Sequence, residues 1–432
     1  MSIRLTLALL CLVAPATAFA QAPEMQQQDQ SQIEQRAADV VAVLKGEKPI
    51  GDVFTDVFVA QVPQERLDAM TQQMQAQFGP LLGLDSVTPT GNPGAAKIVL
   101  RFEKALASGP MQLEANAPYK VAGLLLNDFE PIGDSAEKVV SDISALPGEA
   151  SIYLAPLDGG EPLLSYQADK QFAIGSTFKL YVLSALARSI AAGTHSWDEV
   201  VPLTEKSFPS GQMQNWPAGA PVTVQTLATM MISISDNTAT DQLIRLLGRK
   251  AVEAELGAAG NSNPSASIPF LTTREMFALK TLSDQQAADY LAADDAAQAQ
   301  MLEGIDPGTI SADRVNQIFG NGPRHIGIEW FASGKDIAAV FDRLRKSGDP
   351  TVLDILSVNQ SVGPAEKPKW AYIGYKGGSE PGVLNLSWLL RDPAGAWYLL
   401  AMSWNNPNAV VEQQGFELLA QRALALASGR DG

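Results

Sequence analysis

Cysteine and histidine are nearly missing from this chain: its 432 residues hold one of the first and two of the second. A single thiol excludes a disulfide framework, a Cys-rich zinc site and an iron–sulfur cluster. Two imidazoles leave almost no room for a histidine-built metal centre or proton relay. Charge is also sparse, at 18% of residues, and is lopsided, with 31 Lys+Arg against 47 Asp+Glu for a net −16. A nucleic-acid partner is therefore not expected, because a phosphate backbone needs clustered cations. What is abundant is apolar residues, 46% of the total. That excludes a mainly disordered chain and predicts sizeable buried cores, and the length predicts two or three domains.

Long apolar runs are absent as well. Leu5 to Val13 is too short to span a bilayer, and Leu384 to Trp404 is interrupted by Arg391, Asp392 and Pro393. With Arg4 before it and Ala18-Phe19-Ala20 after it, the first run reads as a signal peptide over residues 1–20, which contains Cys11. The expected product is exported, periplasmic or secreted, with no membrane span.

Residues 21–32 are Gln-rich and polar and read as a linker. Helices are expected from Ile33 to about Leu44 and from Gln64 to Phe78. Alternating segments follow at Ala96–Phe102, Met111–Ala115 and Tyr119–Asn127. Residues 33–133 therefore predict a small α+β domain, without histidine, cysteine or paired carboxylates on one obvious face. After Pro131-Ile132-Gly133 the pattern changes. A helix capped by Asp134, two short strands joined at Asp158-Gly159-Gly160, an apolar helix over Ser176–Ala192 and further helices to Leu256 are expected. Three strands (Trp370–Tyr375, Val383–Leu390, Trp397–Trp404) and a helix over Val410–Ala427 close the chain. Residues 134–432 thus predict one antiparallel sheet, made from both ends of the domain, with helices on its faces. The fold class is α+β.

Three short elements carry the chemistry. Ser176-Thr177-Phe178-Lys179 opens the apolar helix. A Ser and a Lys three apart share a helix face, so the amine can approach the hydroxyl. The helix N-terminus favours a developing alkoxide. A lysine desolvated near a second cation can give up its proton and act as a base, without histidine. The spacing alone is common: Ser135 and Lys138 repeat it on an ordinary amphipathic helix, where a cap plus a surface lysine is the plain reading. Ser235-Asp236-Asn237 falls at the break between two apolar helices, a place that also suits a turn and cap. Lys376-Gly377-Gly378-Ser379 ends a strand, where glycines let a ligand approach the backbone or simply loosen a hairpin.

In this order and these contexts the three elements resemble the signature of penicillin-binding proteins and class A β-lactamases. The flanking runs Phe172–Ser176 and Met231–Asp241 are similar too, and the resemblance spans about residues 134–432. It implies an acyl-serine hydrolase without cofactor or metal, acting on a small β-lactam or ester. Ser176 would be the acylated nucleophile and Lys179 its proton acceptor. Ser235 would shuttle the proton to the leaving group, and Lys376 would supply a cation for the substrate carboxylate and depress the Lys179 pKa. Asn237, Gly378 and Ser379 would contact substrate, with the backbone N–H groups of Ser176 and Ser379 forming the oxyanion hole. A small leading α+β domain also resembles the arrangement in a lactamase-like protein of the clavulanic-acid pathway, whose front domain is steroid-isomerase or cystatin-like.

Two departures stand out. Class A enzymes carry a Glu followed closely by Leu-Asn that positions the deacylating water. The corresponding stretch here, Ile268 to Met276, offers only Glu275, whose plain reading is a first-turn helix carboxylate. Gly377 stands where the family has Ser or Thr, and Ser379 is the hydroxyl that could compensate. Slow β-lactam turnover is expected, with acylation intact. A D-Ala-D-Ala peptidase and a penicillin-binding protein without efficient turnover stay open as alternatives, as does the oligomeric state. His195 is expected as a surface cap and His325 as a loop residue. Trp216 is expected either at the pocket mouth or as a loop anchor.

Overall fold

A computed structural model describes residues 22–305, 311–320, 322–364 and 366–429. The expected leader at residues 1–20 lies outside the described residues. The chain divides into two compact units between Phe129 and Glu130.

The front unit opens with helices α1 (Ala22–Leu44), α2 (Ile50–Val53), α3 (Asp56–Gln61) and α4 (Gln64–Phe78). Five strands follow: β1 (Leu81–Pro89), β2 (Ala95–Phe102), β3 (Ala105–Leu113), β4 (Val121–Leu124) and β5 (Asp128–Pro131). The sheet runs β1-β2-β3-β4, with β5 on β3. In β2, Ala96, Ile98, Leu100 and Phe102 are buried while Lys97 and Arg101 are exposed, the period-two pattern of a half-covered sheet. Ile33, Ala37, Val40 and Leu44 form the buried face of α1. The Gln-rich stretch expected as a linker is helical from Ala22. Gln, Glu and Ala are good helix formers, and their lack of apolar periodicity bears on packing, not on helicity.

The back unit starts with α5 (Ala136–Ser144), β6 (Glu149–Pro156), β7 (Leu164–Tyr166) and β8 (Phe172–Ala173). Its helical layer comprises α6 (Lys179–Ala191), α7 (Val224–Ser233), α8 (Asn237–Leu247), α9 (Arg249–Ala258), α10 (Thr273–Lys280), α11 (Asp284–Ala292), α12 (Asp295–Glu303) and α13 (Ala312–Phe319). A two-stranded ribbon, β9 (Val200–Pro202) with β10 (Pro221–Thr223), sits between α6 and α7 in the chain. Then come β11 (Phe331–Ala332), α14 (Gly334–Arg345), α15 (Pro350–Ser357), β12 (Tyr372–Glu380), β13 (Val383–Arg391), β14 (Trp397–Asn405) and α16 (Gln413–Ser428).

The main sheet has the order β12-β13-β14-β6-β7 and every pairing is antiparallel, as the sequence predicts. Strand β13 is buried on both faces. Leu384, Leu386, Trp388 and Leu390 join a core with Val139 and Ile143 of α5 and Phe416 of α16. Leu389, with Leu399 and Ala401 of β14, joins the larger core around α6. Residues Lys179 to Ala187 of α6 are all buried, so this helix is the axis of the unit. Two helix starts differ from expectation. Ser135, not Asp134, caps α5, its Oγ accepting the Lys138 N–H at 3.2 Å, while Asp134 pairs with Arg422 of α16. The apolar helix begins as a 3₁₀ turn over Gly175–Phe178 before α6 proper.

Candidate active site

The 3₁₀ turn carrying Ser176 is pinned from both sides. Strand β8 pairs with β11, and the Asn405 side chain of β14 accepts the Ala173 N–H at 2.9 Å and donates to its C=O at 3.0 Å. Thr177 Oγ1 donates to Asn385 Oδ1 of β13 at 2.8 Å. Phe178 stacks on Trp330 with ring centroids 3.6 Å apart. Strand β12 then runs against the turn. A Cβ on Gly378 would lie 2.2 Å from Ile174 O and 2.4 Å from Ser176 N, so only glycine allows this approach. Gly175, with φ of +49°, makes the other half of the contact, its added Cβ falling 3.0 Å from Ser379 N.

The second and third elements converge on the first. Asp236 caps α8 through the Ala239 N–H at 2.9 Å, and its other oxygen takes the N–H groups of Gln212 and Met213 at 2.6 and 2.9 Å. That anchoring holds Ser235 in a left-handed conformation, φ +59°, uncommon for a non-glycine residue. Lys179 is fully buried, its Nζ bonded to Ser235 O (2.7 Å), Ser235 Oγ (3.0 Å) and Asn237 Oδ1 (2.8 Å). Lys376 reaches the same hydroxyl from β12 at 3.2 Å. Burial pushes the Lys179 pKa well down and the nearby Lys376 cation adds to this, against the opposing pull of Asp241 and Asp236. Burial pushes Lys376 down to about 7.

A lysine amine without its extra proton has two N–H donors and one lone pair. Ser235 O and Asn237 Oδ1 take the donors, and the lone pair is left for a hydroxyl proton. Ser176, Ser235, Asn237, Lys376, Gly378 and Ser379 all line one cavity of about 290 Å³. Every site residue expected from the sequence is therefore brought together, and the arrangement suits transfer of a hydroxyl proton to an amine beside a cation.

Other candidates fall outside it. Glu275 completes a capping box with Thr272 and pairs with Arg249, and it lines a separate cavity of about 350 Å³. His195 meets Glu199 at 2.7 Å and His325 meets the Leu282 carbonyl at 3.1 Å. Trp216 is not among the residues lining the cavity, and its carbonyl accepts Lys206. At Gly377 an added Cβ would lie 2.2 Å from the Tyr375 hydroxyl, so the phenol fills the space of the family's Ser or Thr side chain. Tyr375 lines the cavity too.

The sequence reading missed a third group of charges. Lys280, the last residue of α10, is fully buried between Glu380, with which it forms a short hydrogen bond, and Glu329, at 3.5 Å. Both carboxylates line the cavity that holds Ser176. A charge inside an apolar run, Ile328-Glu329-Trp330, was the available signal.

Ser176 on the 3₁₀ turn and the buried Lys179 that opens α6 thus stand beside a five-stranded antiparallel sheet. Residues 134–426 match the model of the beta-lactamase enzyme family, and the chain belongs to that family. It is 26% identical over 155 residues to Beta-lactamase AST-1 of Nocardia asteroides, covering 33% of this chain and 47% of that protein. With Beta-lactamase FAR-1 of Nocardia farcinica it is 32% identical over 100 residues, covering 21% of this chain and 29% of that protein. The chain thus spans about half or less of the length of these curated relatives. Among solved structures it is similar to PBP-A, at 19% identity and TM-score 0.48, covering 69% of this chain and 96% of that one. It is also similar to a beta-lactamase from Francisella tularensis, at 15% identity and TM-score 0.49, covering 68% and 98%.

Proposed function

We propose that this chain is a serine hydrolase that works through an acyl-enzyme on a β-lactam or ester substrate. Ser176 Oγ attacks the carbonyl carbon as its proton passes to Lys179 Nζ, and the backbone N–H groups of Ser176 and Ser379 hold the oxyanion. Lys179 returns the proton through Ser235 to the leaving nitrogen or oxygen as the acyl bond breaks. Lys376 meets the substrate carboxylate and Asn237 the substrate amide. The observation that carries this reading is the sharing of the Ser235 hydroxyl by two buried lysines, in the cavity lined by Ser176. The Lys179 pKa, lowered by burial, supports its role as base. An exported product belongs to the same proposal, since the substrates of this class include cell-wall peptides and antibiotics.

Turnover of stable adducts is slow in this reading. Glu275, the nearest carboxylate to the family's water-positioning motif in sequence, is held by Thr272 and Arg249. A general base contributes about 10²–10⁴-fold, so its loss slows deacylation alone. The test uses intact mass after exposure to a chromogenic cephalosporin and to p-nitrophenyl esters. Wild type should gain one acyl group, and Ser176→Ala and Lys179→Ala none. Undiminished labelling of Ser176→Ala overturns the assignment. Ser135→Ala, the matched control on α5, should label normally while losing about 1 kcal/mol of stability with its helix cap.

A further inference from the structure

Lys280 joins the two backbone arms that carry the oxyanion donors. The first arm is β12. Strand alternation puts Glu380 on the same face as Lys376 and Gly378, directly after Ser379. The second arm is the turn bearing Ser176. Glu329 Oε2 accepts the Trp330 N–H at 3.1 Å, Trp330 O accepts the Ile174 N–H at 3.0 Å, and the Trp330 indole stacks on Phe178. Lys280 meets both carboxylates from α10, and Glu380 lies four residues along β12 from Lys376.

Stability does not account for this group. Two carboxylates and one ammonium removed from water cost more than well-packed apolar residues of similar volume. Glu329 Oε1 and Glu380 Oε2 have no hydrogen-bond partner beyond the charge contacts described. Burial raises both carboxyl pKa values, Glu380 to about 8, against the opposing pull of the Lys280 ammonium. Three costly groups link the strand bearing Ser379 to the segment bearing Ser176. Gly378 already brings those two backbones to their closest approach.

We propose that Lys280, Glu329 and Glu380 are positioning residues that set the separation of the Ser176 and Ser379 N–H donors. The acyl carbonyl is then fully polarised only while the three are joined. This rests on the acyl-enzyme reading above. It requires no contact between the three residues and substrate, and it assigns them no proton transfer in the reaction.

The experiment follows the full chain with a chromogenic cephalosporin, measuring the acylation rate constant, the noncovalent affinity and the infrared ester-carbonyl band of the adduct. In Lys280→Met the rate constant should fall by about 10²-fold, as expected for a donor displaced by about 1 Å. Affinity should change little, and the carbonyl band should move to higher wavenumber because hydrogen bonding weakens. Glu329→Gln and Glu380→Gln, which preserve shape, should show the same signs with smaller size, and they decide the matter if Lys280→Met does not fold. The triple variant Lys280→Met, Glu329→Leu, Glu380→Met should fold yet keep the shifted band, which separates positioning from stability. Folded variants with wild-type rate and band overturn the proposal. Absence of any adduct on wild-type Ser176 overturns the acyl-enzyme reading instead.

Discussion

Gly378 and Ser176 touch through their backbones: a methyl group added to the glycine would sit 2.4 Å from the serine nitrogen. In the proposed acyl-enzyme reaction the Ser176 N–H is an oxyanion donor, and it is placed by a residue that contributes no side chain. Gly378→Ala should push β12 off the 3₁₀ turn and reduce acylation about 10²-fold or more. Intact-mass labelling measured against a cephalosporin should show the loss while the circular dichroism spectrum is retained. Labelling at the wild-type rate would mean that the strand does not set the donor.

Lys179 and Lys376 both lose a proton as pH rises, and in the proposed reaction the two losses have opposite effects. Burial holds Lys376 near 7, so its positive charge is present below that pH and is lost above it. Binding of carboxylate-bearing substrates should therefore weaken as pH rises through 7, and binding of neutral esters should not. Lys179, lowered by burial and by Lys376, gains its free amine as pH rises, so the acylation rate constant should rise with pH. Separate pH profiles of affinity and rate on the two substrate types check both signs. Lys376→Ala should erase the difference between the substrates.

Restoring the family residue at position 377 should harm this protein. Gly377→Thr drives its Cβ into the Tyr375 hydroxyl, at 2.2 Å in the unsubstituted structure. Acylation by carboxylate-bearing substrates should fall with the single change. Gly377→Thr combined with Tyr375→Phe should recover part of it, because the oxygen that clashes is gone. Equal rates for all three proteins would show that the phenol does not occupy the site of the missing hydroxyl.

Penicillin should give a burst of one acyl group per chain followed by a slow steady phase. Glu275→Ala should lower stability by about 1 kcal/mol, through its capping box and the Arg249 pair. The slow phase should stay as it was. A slow phase that vanishes in this variant would return Glu275 to the role of base.

Much of the back unit was legible because its signals are local. The glycines, the apolar helix and the three terminal strands announce themselves within a few residues, and the order of the motifs brings Ser176, Ser235 and Lys376 into one cavity, with Lys179 buried against Ser235 and Asn237. The Lys280 group was not legible for the opposite reason. Lys280 looks like an ordinary last-turn helix cation, Glu380-Pro381-Gly382 looks like a turn, and only tertiary contact joins them. In the front unit β1 was missed, since Gly83 and the exposed Ser86 and Thr88 break its apolar alternation. The start of α1 was missed because glutamines form helix without marking a buried face.

The order of the central sheet also has a consequence for biosynthesis. Ala155 of β6 pairs with Leu399 of β14, so the ribosome adds roughly 240 residues (399 − 155) between the two partners. At about 5–20 residues per second that is a delay on the order of 12–50 s. Within it, Ser176 is made 200 residues (376 − 176) before Lys376 and before Gly378 and Ser379, beside an unfinished sheet edge. The central sheet therefore cannot close until its last strands emerge, and any factor that meets the nascent chain during that interval meets an open sheet with unpaired strand edges.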